Sequence, residues 1–556
     1  MAISASPDPK AEYALARYDK MRSIRAPFEQ DWNDVRLFVR PVTVYVTNTS
    51  QPLQYYSVMP ETCFDSTAPQ ALEQLACAIH SYLSNPTERW FELQIEGDNP
   101  WKQDTDVTEW LQTVSDIIYA HYTREGSMLN STLHECYMDL GSFGTCAMIQ
   151  EWDNDAQGLR FKALPLPLTY FMEDKDGKVN CVCRKFSWTM RQIREEWNDV
   201  LPPKIKEMEK EMDRQLDLIQ LIFPRDEYMP RVSGKIGPKN MKFASMWVCI
   251  TTAELIEESG YEEFPCAVPR WTKLAGEVYG RGPCKTCLPD IKMLNAMEKT
   301  MLKAGQKAVD PPLVLTNDSF LLPIKTSPGS LIFREDETAK VEPLEVTRDL
   351  EWGEEKCKQK RDSINQAFYA DWIKMEKENV EMTAYEVQDR RDEKLRLLSP
   401  IFGRITGELQ GPMIARSYNL LNRHGKIPPF PAQARGVKLK IGYLSPAAMA
   451  QIGTKAMTMS RFMQDLMPLM QINPNIMDAV DLDKMVAMLA VARGVPRSVL
   501  RSMQEIQEKR QQAQQSQQMQ QMAQVAEPAS KAVKNLADAS AKSPQMASAL
   551  SGAGQQ

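Results

Sequence analysis

The groups best suited to chemistry are few in this chain, and their spacing argues against an enzyme. Only four histidines occur in 556 residues: His80, His121, His134 and His424. None belongs to a His-Glu-x-x-His helix, and no Gly-x-Ser-x-Gly elbow or Gly-x-x-x-x-Gly-Lys-Ser/Thr phosphate loop is present. The chain therefore carries no recognisable ATPase of its own. Cys284-Lys-Thr-Cys287 is half of a zinc site or a redox pair, but no second pair follows at zinc spacing. Packing on the approach to a helix is the better reading. Cys181 and Cys183 alternate along a strand, and His134 and Cys136 lie on different helix faces with no third group to orient them. We expect no catalytic residue, no metal ligand and no cofactor.

Lysines carry more information. Lys292, Lys299, Lys303 and Lys307 follow at intervals of seven, four and four, which brings them to one side of a helix. They are either a solvated face or, in an assembly of many copies, rings of charge that touch phosphates without reading sequence. Lys374 and Lys377, in a charged stretch, admit the same two readings.

The elements that must hold such residues begin with a joint. Residues 264–283 combine a Pro-punctuated strand, a Gly276-Glu277 turn and the breaker Tyr279-Gly-Arg-Gly-Pro283, and they deliver the backbone into a long helical pattern from near Asp290 to Val309. Pro311-Pro312 stops that helix. A short strand-like insert follows to 346, and a second long helix is expected over about 347–374. The two helices can lie antiparallel with the insert at their tip.

Upstream, residues 11–40 predict one or two amphipathic helices, broken near Pro27. Further helices are expected over 69–83, 107–122 and 129–139, the last region ending at Gly141-Ser-Phe-Gly144. Strands follow over 145–152, 159–164 and 170–172, with Asp176-Gly177 as a hairpin signal before Val179. A charged helix near 190–217 precedes strands at 218–223 and 243–252. Downstream, Thr383-Ala-Tyr-Glu386 has the form of a capping box, Thr383 accepting from the Glu386 amide while Glu386 reaches back. One helical pattern then runs to Leu421, with kinks expected at Pro400 and Gly411-Pro412. A basic strand at 437–443 and helices over 446–510 complete an α+β, predominantly α, chain. Its last 45 or so residues are rich in Gln, Ala, Ser and Met.

Totals set the bounds. The length allows about three or four domains. A net charge of -6 rules out a generally basic nucleic-acid coat, and 43% apolar with 25% charged residues is ordinary for a globular protein. Eleven scattered cysteines suggest reduced thiols, and no apolar run of about 18 residues or secretory leader is seen. A soluble chain made in the cytoplasm, with no membrane partner, is expected.

Several blocks together resemble the portal, or head-to-tail connector, proteins of short-tailed bacteriophages. They are Arg25-Ala-Pro-Phe-Glu-Gln-Asp-Trp32, Phe64-Asp-Ser-Thr-Ala-Pro69 running on to Arg89-Trp-Phe-Glu-Leu93, Gly141-Ser-Phe-Gly144, Pro269-Arg-Trp271 with Gly276-Glu-Val-Tyr-Gly-Arg-Gly-Pro283, and Glu381-Met-Thr-Ala-Tyr-Glu-Val-Gln-Asp-Arg390. The resemblance implies a ring of about twelve subunits at one capsid vertex, through which double-stranded DNA is packaged, retained and ejected. It implies a wing over 1–280, a stem of two helices at 281–310 and 347–373, and a β-rich clip at 311–346. A tunnel loop at 374–382, a wing return helix and strand at 383–445, a crown at 446–510 and a flexible tail at 511–556 complete the layout. Implied partners are the major capsid and scaffolding proteins, the terminase large subunit, tail adaptor or tail tube proteins, and internal core proteins. The place would be the virion, after assembly in the host cytoplasm. The lysines named above become DNA-channel candidates, and Arg270, Trp271, Glu277, Gly280 and Arg281 become residues of the wing–stem joint. The competing readings are a nuclease of the packaging machinery, which should show clustered carboxylates at strand ends, and a tail adaptor or internal head protein, which needs no stem–clip–stem layout.

Overall fold

The structure is a computed structural model, described here for residues 8–40, 63–97, 105–197, 200–232, 237–315, 341–343, 350–370, 398–431 and 437–444 and for a few isolated positions beyond. Lys374, Lys377, Thr383 and Glu386, and nearly all of the expected crown and tail, lie outside these residues. The chain divides into two compact units. The larger comprises residues 1–94, 111–429 and 439–451. The smaller comprises 95–110, 430–438 and 452–556; within it the Trp110 and Phe430 rings meet edge to face at 4.5 Å.

The larger unit opens with α1 (Pro9–Phe38), a single helix of 30 residues capped by Asp8, whose side chain accepts from the Lys10 amide. Pro27 does not break it, contrary to the sequence expectation. An interior proline costs about 3 kcal/mol, but here packing on both sides outweighs it. Ala11, Ala14, Tyr18 and Met21 are fixed against a sheet before Pro27, and Trp32 and Val35 are buried after it. Then come α2 (Thr67–Leu83), β1 (Phe91–Ile95), α3 (Thr105–Thr123) and α4 (Leu129–Phe143). Helix α4 runs through Gly141, where a Cβ would meet Leu72 of α2, so this glycine lets the two helices approach. Gly144, at φ 80°, ends it in the left-handed conformation.

Strands β2 (Met148–Asp153) and β3 (Gly158–Ala163) form a hairpin. They are followed by β4 (Thr169–Glu173), β5 (Val179–Thr189), α5 (Met190–Trp197), α6 (Pro203–Lys206), β6 (Gln215–Pro224), β7 (Phe243–Cys249), β8 (Glu254–Tyr261) and β9 (Cys266–Ala267). The sheet β4-β5-β6-β7-β8 is an antiparallel meander, and β3-β2-β9 is a second sheet. The expected charged helix over 190–217 is instead two short helices and a 3-10 turn, because Pro202-Pro203 interrupts it and the strand starts at Gln215. Glu207 and Glu209 therefore stand on a single turn. β1 and β8 went unforeseen.

The second half holds α7 (Pro283–Val309), β10 (Leu313–Leu315), β11 (Val341–Pro343), α8 (Leu350–Ala367), α9 (Ser399–Ile405), a π-turn (Thr406–Gln410), α10 (Gly411–Arg423) and β12 (Leu439–Tyr443), which lies beside β1. Helix α7 begins two turns earlier than its periodicity suggested. Pro283 sits in its first turn, and the buried stripe Cys284, Cys287, Leu288 and Ile291 carries it past Pro289. Helix α8 stops at Ala367, short of the expected 374, and Tyr369 adopts φ 57° with its ring against Trp271. The two helices are antiparallel: Lys360 pairs with Asp290 at 2.7 Å, while Gly353 makes room for Met301. Between them β10 and β11 form an antiparallel ladder, Val314 opposite Glu342. No helix among the described residues is long and apolar enough to cross a membrane.

Candidate functional site: the joint at the foot of α7

The close approach of backbones at the joint is made possible by missing side chains. The segment after β9 runs back along the end of α4. Cys146 N donates to Pro269 O, and Trp271 N to Gly144 O at 2.9 Å. Thr272 and Arg281 then form an antiparallel bridge that closes the loop carrying Gly276 and Glu277. The loop end packs backbone to backbone. A Cβ on Gly280 would lie 2.8 Å from the Arg270 Cβ and collide with Gly144 O. One on Gly282 would lie 2.8 Å from both Leu140 O and Gly141 O. Gly280 N donates to the Thr145 hydroxyl at 2.7 Å. Gly144, Gly280 and Gly282 thus let the foot of α7 sit on the C-terminus of α4.

Arg270 is the electrostatic centre. It is buried, and its guanidinium grips Glu408 with Nη2 on Oε1 (2.8 Å) and Nε on Oε2 (3.1 Å). Its backbone N–H donates to the same carboxylate at 2.9 Å. Glu173 pairs with it from β4 and also holds Lys273. Burial opposes the Arg270 charge, but Glu408 and Glu173 outweigh it and its pKa is raised. Tyr279 fixes the apolar side: its buried ring touches Phe28, Trp32 and Phe171, and its hydroxyl accepts the Phe171 amide at 3.2 Å. Trp271 is buried, whereas Arg281 is exposed and pairs with Glu277, four residues earlier in the same loop, at 2.6 Å.

One turn block ties α7 to α8. Asn295, buried on α7, accepts the Phe64 and Asp65 amides on its side-chain oxygen and donates to Ile291 O. Asp65 in turn accepts from Arg361 of α8 at 3.0 Å, and Arg361 also pairs with Glu298.

Of the six lysines read as DNA-channel candidates, four are described. Lys292 is held by Asp34 of α1 at 2.6 Å, and the Lys299 ammonium lies 5.5 Å from the Phe64 ring centre. Lys303 and Lys307 are exposed. The cysteines of Cys284-Lys-Thr-Cys287 are buried, and burial pushes the Cys284 thiol well above its ordinary pKa. Among the described residues no group of three His, Cys, Asp or Glu is placed to hold a metal. Glu408, Thr145 and Asn295 were not singled out from sequence; the only signal near Glu408 was the kink expected at Gly411-Pro412.

The profile of the bacteriophage head to tail connecting protein family matches residues 11–500. The chain belongs to this family. The connector is similar to two curated relatives along most of its length. It is 26% identical over 482 residues to a probable portal protein of Bordetella phage BPP-1, covering 84% of this chain and 85% of that one. It is 25% identical over 516 residues to the portal protein of Salmonella phage epsilon15, covering 89% of each. The match spans the residues of the joint, both long helices and the π-turn.

Proposed function

We propose that this connector is the portal subunit of a bacteriophage head. About twelve copies close into a ring at one capsid vertex, and double-stranded DNA passes through its channel without sequence readout. The observation that carries the layout is the antiparallel pair α7 and α8, which lead to and from the β10–β11 ladder. That is the arrangement of a two-helix stem with a clip at its tip. The sheets and α1–α4 form the wing, α9, α10 and β12 return to it, 374–382 is the tunnel loop, and 446–510 the crown. A closed ring suits a heterologous interface that must not polymerise. The wing engages the capsid shell, with scaffolding and internal core proteins as partners during assembly. The clip meets the terminase large subunit and later the tail adaptors. Lys303 and Lys307 are the lysines of α7 left to face DNA, joined by Lys374 and Lys377. A few such charges on an acidic subunit let DNA slide where a dense set would stall it. The work is mechanical, with no catalytic residue and no cofactor.

Electron microscopy of the purified chain tests this. Rings of about twelve-fold symmetry with a central hole are expected; a monomer at all concentrations, or an open filament, would overturn the reading. A nuclease of the packaging machinery or a tail adaptor fits the family and the paired long helices less well.

A further inference from the structure

The π-turn at 406–410 joins the short helix α9 to the more firmly held α10. On one side Phe402 and Ile405 are buried. On the other, the buried Gln410 donates to Leu83 O at 2.9 Å, Arg416 to Gln150 O at 3.1 Å, and Ser417 shares its hydroxyl with Tyr122 and Gln150 at 2.7 Å. The turn between them is soft for identifiable reasons. Pro412 has no N–H to give to Glu408 O, and Gly411 N reaches back five residues to Thr406 O. Gly403 and Gly407 lie one turn apart, exposed among the described residues, none of which comes within 4 Å of where a Cβ would stand. Packing among the described residues therefore requires neither glycine. Each costs a helix about 1 kcal/mol relative to alanine. What they provide is easy rearrangement of the backbone.

Glu408 is the side chain that leaves this soft turn for the joint, through its three bonds to Arg270. A π-turn holds one residue more than the α-helix around it. Resorbing that residue rotates what lies on one side by about 100° and shifts it by about 1.5 Å. Glu408 would then leave Arg270, whose buried charge would keep only Glu173 of these two carboxylates.

We infer that the π-turn is a slip joint and Glu408 its latch: a positioning residue that holds the foot of α7 in one setting and releases it when the turn converts to α-helix. The inference rests on the portal reading for its consequence, since the α7 foot sets the tilt of a channel helix, but its structural test does not.

The test uses the full-length assembled protein and two variants. Glu408→Gln keeps an acceptor but loses the charge, and Gly403→Ala/Gly407→Ala favours the α form without touching Arg270. Hydrogen exchange at the 279–285 amides is expected to rise about tenfold or more in both, while the oligomer stays intact. Infected-cell particles carrying either variant should retain less DNA than wild type. The inference is overturned if the double alanine variant leaves exchange at 279–285 unchanged, or if Glu408→Gln only lowers the melting temperature with the wild-type exchange pattern. If the wild-type chain forms no ring, the portal reading fails while the exchange result still decides the latch.

Discussion

The side-chain oxygen of Asn295 accepts the backbone N–H of Asp65 at 3.2 Å, beside the Phe64 N–H at 2.8 Å. Two amides of a turn far away in sequence are thus satisfied by one residue on α7, and the same Asp65 reaches Arg361 on α8. Asn295→Leu keeps the volume and removes the acceptor. Leaving two amides unpaired at a site where Asn295 is 4% exposed should cost about 2–4 kcal/mol. Denaturant unfolding of the variant checks this, and a destabilisation below about 1 kcal/mol would show that the two bonds matter little.

The glycine-lined packing at the foot of α7 leaves no room for side chains. Gly280→Val, and Trp271→Ala at a side chain only 3% exposed, should impair ring assembly before any DNA step. Native mass spectrometry should show monomers or aggregates. Normal rings that fail only in packaging would contradict this placement.

The lysines separate by what holds them. Lys303→Ala/Lys307→Ala should weaken non-specific binding of duplex DNA to the ring and reduce the salt slope by about 0.9 for each phosphate no longer neutralised. Lys292→Ala should leave that slope unchanged, because its ammonium is already held by Asp34. Rings with Lys374→Ala and Lys377→Ala should package or retain DNA less well. Unchanged packaging and retention would remove those two from the channel.

His80 supplies a pH dependence. Burial, with His134 nearby, lowers its pKa below the ordinary 6.5, and its Nδ1 lies within hydrogen-bond distance of the Ser84 hydroxyl, which meets Tyr137. The folded protein then binds the proton less well than the unfolded chain. Its contribution is complete above pH 6.5 and is lost as pH falls through the lowered folded value. The melting temperature should decline as pH falls below 6.5, and His80→Gln should make that decline shallower. An identical slope in the variant would shift the effect to His121 and His424, which are lowered as well.

Much of this was legible because the signals were local. The long helices, the Asp176-Gly177 hairpin, the strand near 439 and the joint all follow from periodicity and from glycine and proline positions. What escaped depended on distant partners. Pro27 reads as a break, yet helix continues through it, because burial on either side outweighs one missing hydrogen bond, and α7 starts at Pro283, ahead of the Asp290 where its periodicity becomes plain. Tyr369 ends α8 early, and its mark is the ring it lays against Trp271, nearly a hundred residues away in sequence. Glu408 carries no mark of its own in the sequence, because its π-turn and its partner Arg270 meet only in three dimensions. The fold class came from the pattern; the pairings that make the joint came only from three dimensions.

Helix α1 has one consequence for how load would travel. Its first half is embedded in the meander through Ala11, Ala14, Tyr18 and Met21, while its second half presents Asp31 and Asp34 to Lys285 and Lys292 on α7. It is unbroken for 30 residues, about 45 Å. A helix resists stretching far better than the loops around it, so α1 behaves as a tie rod between the sheet and the root of α7. Strain arriving at the meander would be borne along its axis, and the two lysine–aspartate pairs are couplings that would pass it to α7.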